Sequence, residues 1–285
     1  MKTVVVTGCS SGIGKASALL LVKKGFRVFA GVRKQEDAEQ LRSEANPNLV
    51  PLILDLTKGE SIAKAALEVE KKSNGLDGLV NVAGVGVSGP LEYVSPEDLR
   101  YVFEVDVVGQ IAVTQAFLPL LRKSRGRIVN ISSVGAHIAI PFGGVLTACK
   151  AAFGLLSDAL RLELRPFGVR VCTIEPGAIS TPAVDKTLGD VEGVIRRLPP
   201  QGALRYADML RKFTQRAYDR ERHGSSPDVV AQSVHHALTA ARPRIRYVVG
   251  KGARQMTLLP RLLPDRVLDI LRTKIFDLPA AVNEG

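Results

Sequence analysis

A valine-rich run, Thr3–Thr7, leads directly into glycines at positions 8, 12 and 14, and then into a helix-periodic stretch, Lys15–Lys24, that stops at Gly25. This opening constrains the fold more than any other part of the chain. A short, uninterrupted apolar run predicts a strand covered on both faces. Glycines behind it let the chain turn tightly and let its backbone approach a pyrophosphate. The helix that follows offers unpaired N–H groups and its positive dipole end. Such a turn is weak evidence by itself. Between a first strand and a first helix it points to a dinucleotide cradle built from Gly8, Ser10, Ser11, Gly12, Ile13 and Gly14. The spacing is GxxxGxG rather than the commoner GxGxxG.

The same alternation continues. Further strands are predicted at Arg27–Val32, Val50–Leu54, Leu79–Ala83, Arg127–Ser132, Val169–Ile174 and Arg246–Val249. Helices are predicted at Glu36–Ala45, Ser61–Lys72, Val145–Leu164 and Pro227–Ala240, with one long or two short helices from Pro96 to about Lys123. Strict alternation of this kind predicts a single α/β domain, a Rossmann-type doubly wound parallel sheet. Residues 183–223 break the rhythm, are rich in Arg, and read as an inserted helical substrate lid. Residues 252–285 form an apolar, basic helical tail, expected to pack on the core more than on a membrane.

The chain has 285 residues, 46% of them hydrophobic and 24% charged, enough to build a core and to argue against disorder. Cys9, Cys149 and Cys172 have neither CxxC nor Cys/His spacing, so no disulfide framework and no metal site are expected. With Met1-Lys-Thr-Val-Val-Val running straight into a strand, no signal peptide is expected, and the expected location is cytoplasmic. No apolar run approaches the roughly 18 residues of a membrane span. The formal charge is +11. Scattered basic residues, 5% aromatics and no binding motif argue against nucleic acid. An anionic cofactor, an acidic substrate or a weak membrane-surface contact accounts for the charge more simply.

The second strand ends in Val32-Arg33-Lys34, with no acidic residue to accept bonds from an adenosine ribose. Arg33 and Lys34 can instead bind a 2′-phosphate, with Ser10 and Ser11 as added donors, which favours NADP(H) over NAD(H). A solvated basic pair is the plainer alternative. Asp55, just after the third strand, is placed to meet the adenine amino group, or serves only as a cap.

These motifs carry a likeness. With Thr7–Gly14, Leu54-Asp55-Leu56, Asn81-Val82-Ala83-Gly84, Asp106-Val-Val-Gly109, Ser132-Ser133, Lys150 and Pro176-Gly177-Ala-Ile-Ser-Thr181, the chain resembles the classical short-chain dehydrogenases/reductases over about residues 1–250. Within them it is most similar to the branch acting on steroids, retinoids and related lipophilic alcohols. The resemblance implies that Lys150 holds the nicotinamide ribose, that Pro176, Gly177 and Thr181 seat the nicotinamide, and that Asp55, Leu56, Ala83 and Gly84 serve the adenosine half. It also implies a homodimer or homotetramer formed through the two long helices.

Three positions depart from the family pattern. Val82 stands for an Asn, Asp106 for the Asn of a water relay, and Leu146 for the Tyr that acts as general acid/base, thirteen residues after Ser133 and four before Lys150. Leucine has no proton to give. General acid catalysis contributes about 10²–10⁴-fold, roughly 3–5 kcal/mol. Ordinary carbonyl reduction is therefore expected to be slow. Four readings stay open: a substrate such as an iminium that needs no acid; a proton from Lys150, His137 or Tyr206; non-redox work such as cyclisation or isomerisation; or a catalytically silent binding protein. Ser133 either polarises the substrate oxygen or merely bonds its loop. His137 is more simply a loop residue and Tyr206 more simply lid packing. Arg196, Arg197, Arg205, Arg211 and Arg216 of the lid either hold an acidic substrate or are solvated.

Overall fold

The computed structural model describes Met1–Pro279, so the last six residues of the predicted tail, 280–285, lie outside the described residues. Seven parallel strands form one sheet: β1 (Thr3–Val6), β2 (Arg27–Val32), β3 (Leu49–Ile53), β4 (Gly78–Asn81), β5 (Arg127–Ile131), β6 (Arg170–Pro176) and β7 (Arg246–Val249). Their order is β3-β2-β1-β4-β5-β6-β7. The chain builds outward from β1 to one edge, returns, and builds outward again from β4. β1 and β4 are neighbours, so the connections leave them in opposite directions and open a crevice above their carboxyl ends.

Side-chain alternation along β1 divides the core. Val4 and Val6 face the layer containing α1 (Gly12–Lys23), while Val5 faces the opposite layer. That opposite layer includes α3 (Gly59–Lys72), reached after α2 (Gln35–Arg42). Both layers are dry: Leu21, Val28 and Val234 on one side, and Phe29, Leu79, Phe117 and Ile128 on the other, are fully buried. Each such side chain contributes about 1.5–3 kcal/mol.

The segment predicted as one or two helices is a single rod. α4 (Pro96–Phe103) passes into a π-helical turn at Glu104–Val108 and then into α5 (Gly109–Ser124). Ser95 caps its start by accepting a bond from the Asp98 N–H. Gly109 is required at the junction, because a Cβ there would lie 2.6 Å from the Leu56 carbonyl oxygen. The rod also corrects one expectation. Pro96–Ser124 is 29 residues long and contains an 18-residue window of mean hydropathy 1.2, enough by length and composition to cross a membrane. Its buried face, including Val113, Phe117 and Leu121, packs on the sheet instead.

α6 (Gly144–Leu164) follows β5. The lid segment forms α7 (Pro182–Leu188), α8 (Val191–Arg197) and α9 (Pro200–Arg222). α10 (Asp228–Thr239) packs beside α1, and the tail forms α11 (Ala253–Leu262) and α12 (Asp265–Phe276). A run of rings joins tail, lid and the loop before α6. Phe276 lies 5.6 Å from Phe213 of α9, and Phe213 lies 5.3 Å from Phe142, centroid to centroid.

One polar chain crosses this apolar interior. The Asn81 amide donates to Thr114 (3.0 Å) and to Asn130 (2.9 Å), and the Asn130 amide donates to Ser157 (2.8 Å). All four residues are buried. It ties β4 and β5 to α5 and α6. Asn130→Leu keeps the branched shape and removes one bond each from the Asn81 amide and the Ser157 hydroxyl, leaving them Thr114 and the Phe153 carbonyl. It is expected to cost about 2 kcal/mol, read as a lower urea midpoint with unchanged slope.

Candidate active site

Above the β1/β4 crevice lies a cleft of about 1030 Å³, lined by every predicted cofactor-binding residue and by Asp106, Ser133, Leu146 and Lys150. At its phosphate end Gly8 and Gly12 adopt φ of +68° and +56°. A Cβ on Gly8 would sit 2.8 Å from the Ala83 Cα, and one on Gly14 would sit 2.1 Å from the Gly8 carbonyl oxygen. The turn is therefore open only to glycine at those points. Thr7 pins it, its hydroxyl oxygen accepting from the N–H groups of Val82 (2.8 Å) and Ala83 (3.0 Å). The Ser11 side chain makes no capping bond, and the first turn of α1 carries no acid. Among the described residues, neither a capping side chain nor a first-turn acid competes with an anion for that helix end. These features fit the diphosphate of a dinucleotide. Cys9 belongs to the scaffold: its thiol donates to the Val6 carbonyl at 3.1 Å, and burial raises its pKa strongly.

Arg33 and Lys34, both exposed, line the adenosine end. Arg33 Nη1 donates to the Tyr101 hydroxyl at 3.2 Å. Asp55 is not the helix cap that the sequence left open: Lys58 precedes α3, and the Asp55 carboxylate holds the turn before it. Its Oδ1 accepts from the Thr57 N–H (3.0 Å) and hydroxyl (2.7 Å), and the residue also lines the cleft with Leu56. Burial pushes the Asp55 carboxyl up, but the two Thr57 bonds, with Lys58 and Arg33, outweigh it and leave the pKa below the usual value. Asp37 also lines this end, an acid the sequence reading passed over.

At the reactive end the π turn presents Asp106 inward. Asp106 is fully buried, its Oδ1 accepting from the Val85 N–H at 2.7 Å and its Oδ2 lying 2.8 Å from Lys150 Nζ. Gly84 crosses close above the pair, and a Cβ there would lie 3.0 Å from Asp106 Oδ2 and 3.2 Å from Lys150 Nζ. Gln110 secures the same loop by donating to the Ala83 carbonyl. Ser133 accepts from the Gly135 N–H at 3.0 Å, the loop role weighed from sequence. That bond uses its oxygen as acceptor, so the hydroxyl proton remains available to the cleft. Leu146 lies half-buried in the first turn of α6. A Cβ on Gly86 would be 3.4 Å from Leu146 Cδ2 and 3.1 Å from the Thr187 hydroxyl oxygen, so a lid threonine comes close to the leucine. Burial raises the Cys149 pKa to about 11, with Asp106 adding to the rise and Lys150 opposing it.

Two suggested proton donors are engaged elsewhere and do not line the cleft. His137 Nε2 lies 3.0 Å from Glu175 Oε2, and Glu175 is also bonded by Arg246. The Tyr206 hydroxyl donates to Glu92 at 2.8 Å, and that bond raises the phenol's pKa. The arginines considered for an acidic substrate also lie outside the cleft. Arg211 pairs with Glu192 (2.6 Å), Arg216 with Asp277 (3.1 Å), Arg205 with Glu92 (3.8 Å) and Arg196 with Asp190 (4.0 Å), while Arg197 is exposed. The lid instead lines the cleft with Lys186, Thr187, Arg220 and Glu221, none of which sequence spacing singled out. Glu221 Oε2 accepts from the Ile179 N–H at 3.3 Å. Burial raises its carboxyl, opposed by Arg220 and the Ile179 bond.

The sequence profile of the short chain dehydrogenase family matches residues 2–191. Mouse "Retinol dehydrogenase 5" is 38% identical over 289 residues, covering 97% of this chain and 89% of that one. Bovine "17-beta-hydroxysteroid dehydrogenase type 6" is 37% identical over 289 residues, covering 98% and 90%. Among solved structures, a short chain dehydrogenase from Burkholderia cenocepacia J2315 in complex with NADP superposes with a TM-score of 0.71 at 27% identity, covering 95% of this chain and 99% of that one.

The buried ion pair yields a direct test. Lys150→Met leaves the Asp106 carboxylate buried without its cation and is expected to destabilise the protein by about 3 kcal/mol. Adding Asp106→Asn to that variant is expected to restore most of the loss, measured as a double-mutant cycle in urea.

Proposed function

Because the chain belongs to the short-chain dehydrogenase family, a family of oxidoreductases, we propose that it is NADP(H)-dependent, acts on a lipophilic carbonyl, alcohol or imine, and draws its proton from a group other than a phenol. One observation carries the reading. A single cleft joins the glycine cradle, the Arg33–Lys34 pair and the Asp106–Lys150 pair to an apolar wall of Val85, Val87, Ile140, Val184 and Leu188. The names of the retinol and hydroxysteroid dehydrogenases it resembles support a lipophilic substrate.

A nicotinamide dinucleotide bound here supplies or accepts hydride. Gly8, Gly12, Gly14 and the N-terminus of α1 hold its diphosphate, with Ser10, Ser11 and Ile13 alongside. Arg33 and Lys34 meet the additional phosphate. Asp55, Leu56, Ala83 and Gly84 line the adenosine side, and Pro176, Gly177 and Thr181 the nicotinamide side. Ser133 donates its hydroxyl to the substrate oxygen. Lys150 is the proton carrier in this reading. Lys150 lines the cleft, whereas His137 and Tyr206 lie outside it, bonded to Glu175 and Glu92. A substrate whose carbon is already cationic, such as an iminium, needs no proton and would suit the leucine best. The protein acts in the cytoplasm as a homodimer or homotetramer through α5 and α6. The exposure of Leu155 and Leu162 on α6 supports the second point.

Leu146 favours one second reading, a non-redox enzyme or a silent dinucleotide-binding protein on the same scaffold. Stoichiometry separates them. Hydride transfer consumes the absorbance of the reduced nicotinamide in step with product, whereas the second reading leaves it unchanged. Leu146→Tyr is expected to raise turnover of a model ketone by ~10²-fold or more if the remaining site is intact. Arg33→Ala with Lys34→Ala is expected to weaken NADPH about 10–100-fold while leaving NADH nearly unchanged, from the usual worth of a hydrogen bond to a charged group. Titration calorimetry reads that difference.

A further inference from the structure

A second, small cavity of about 10 Å³ adjoins the cleft, where α7, α8 and α9 of the lid meet the loop after β4. Ser88, Thr187 and Leu188 line both spaces. Val194 and Leu210 form part of the apolar wall of the cavity, and its polar side chains are those of Ser88, Thr187 and Thr214. Ser88 and Thr187 are half-buried, and Thr214 is 6% exposed. None of these three hydroxyls has a hydrogen-bond partner among the described residues. Other helical threonines of the chain use theirs: Thr114, Thr239 and Thr257 each donate to a carbonyl one turn earlier. Burying a hydroxyl without a partner is unfavourable. A cavity of this size admits about one water, which needs roughly two to four polar partners. Thr187 also faces the place where the phenol is missing. A Cβ on Gly86 would lie 3.1 Å from the Thr187 hydroxyl oxygen and 3.4 Å from Leu146 Cδ2, so both atoms border one point of the cleft wall. Gly84, two residues earlier in the same loop, borders Lys150 Nζ in the same way.

We propose that one water bound among Ser88, Thr187 and Thr214 sets the Thr187 hydroxyl as a hydrogen-bond donor to an oxygen of the substrate. Thr187 thereby selects an oxygenated lipophile over a hydrocarbon. A serine or threonine hydroxyl has one proton and two lone pairs. The water donates to Thr187 and to one of the other two hydroxyls, and accepts from the third. With its oxygen occupied from the cavity side, Thr187 turns its single proton to the cleft. Ser133 is set in the same manner by its own loop, its oxygen accepting from the Gly135 N–H. No proton changes owner at Thr187: it is a donor, and Lys150 remains the proton carrier. Thr214 does not line the cleft and acts only through the water, as a positioning residue. The leucine gives the threonine its importance, because Leu146 offers no donor of its own to a substrate oxygen in that corner. The role toward substrate rests on the lipophilic reading given above; the water site does not.

Two measurements on the full chain test this. A high-resolution crystal structure should show one ordered water within about 3.2 Å of all three hydroxyl oxygens, and Thr214→Val should lose it. Calorimetric titration then compares methyl hexyl ketone with its alkene isostere, in which a methylene group replaces the oxygen. Thr187→Val is expected to weaken the ketone about 5-fold and Thr214→Val about 3-fold, with the alkene unchanged in both. Thr187→Ser should bind the ketone as the wild type does. NADPH binding checks that each variant is folded. Absence of the water from the wild type would overturn the site. Equal losses for ketone and alkene, or ketone binding untouched by Thr187→Val, would overturn the donor role of Thr187. Ketone binding weakened by Thr187→Val but untouched by Thr214→Val would overturn the coupling through water. If the wild type binds the alkene as tightly as the ketone, the role of Thr187 falls and the lipophilic reading stands. If it binds neither, that reading falls as well, and the crystal structure still decides the water site.

Discussion

A fully buried carboxylate needs a cation, and Asp106 has one in Lys150. Much of the site's geometry follows from that pair. It fixes the π turn between α4 and α5, the start of α6, and the loop after β4, whose Val85 N–H completes the coordination of the carboxylate. In water such a contact contributes little. Inside the protein each ion would be costly alone, so the elements carrying them are held in register. The departures from the family pattern also read together. The cleft has a leucine where a phenol is expected, and a carboxylate where a neutral amide is expected. The lysine thus keeps an oxygen partner, a fully buried carboxylate at the inner wall of the cleft.

The distribution of charge divides the molecule by task. Of the lid arginines that look like substrate ligands in the sequence, Arg196, Arg205, Arg211 and Arg216 are tied to acids on the lid and the neighbouring surface, and Arg197 is exposed. The cleft takes its cations from the end of β2, from Lys150 of α6, from Lys186 of α7 and from Arg220 at the far end of α9. Apolar side chains of the lid and of the loop before α6 close the remaining wall. The arrangement suits a long apolar molecule bound beside a polyanion better than it suits an acidic substrate.

The strands and the cradle were legible because their signals are local. Val4, Val5 and Val6 declare a strand covered on both faces, and the spacing of Gly8, Gly12 and Gly14 declares a turn that tolerates no side chain. Segment ends moved by one to three residues because the last turns are set by tertiary contacts. The π turn was not legible: nothing in Glu104–Val108 announces it, and it depends on Gly109 approaching Leu56 from a distant loop. Nor could composition show which lid residues face inward. Arg220 and Arg216 differ only in their place around α9, and that is decided by packing against Ile179 and the tail. His137 and Tyr206 were reasonable donors by position along the chain, but their partners, Glu175 and Glu92, are 38 and 114 residues away.

The three-ring run Phe142, Phe213 and Phe276 has a mechanical meaning. It ends four residues before Leu146, passes through the longest lid helix, and begins on the tail. Phe213 and Phe276 share one apolar cluster with Ile140, Phe142 and Leu188, so tail, lid and the loop before α6 rest on a common set of contacts, and the helix that lines the substrate end of the cleft leans on the tail for its outer support.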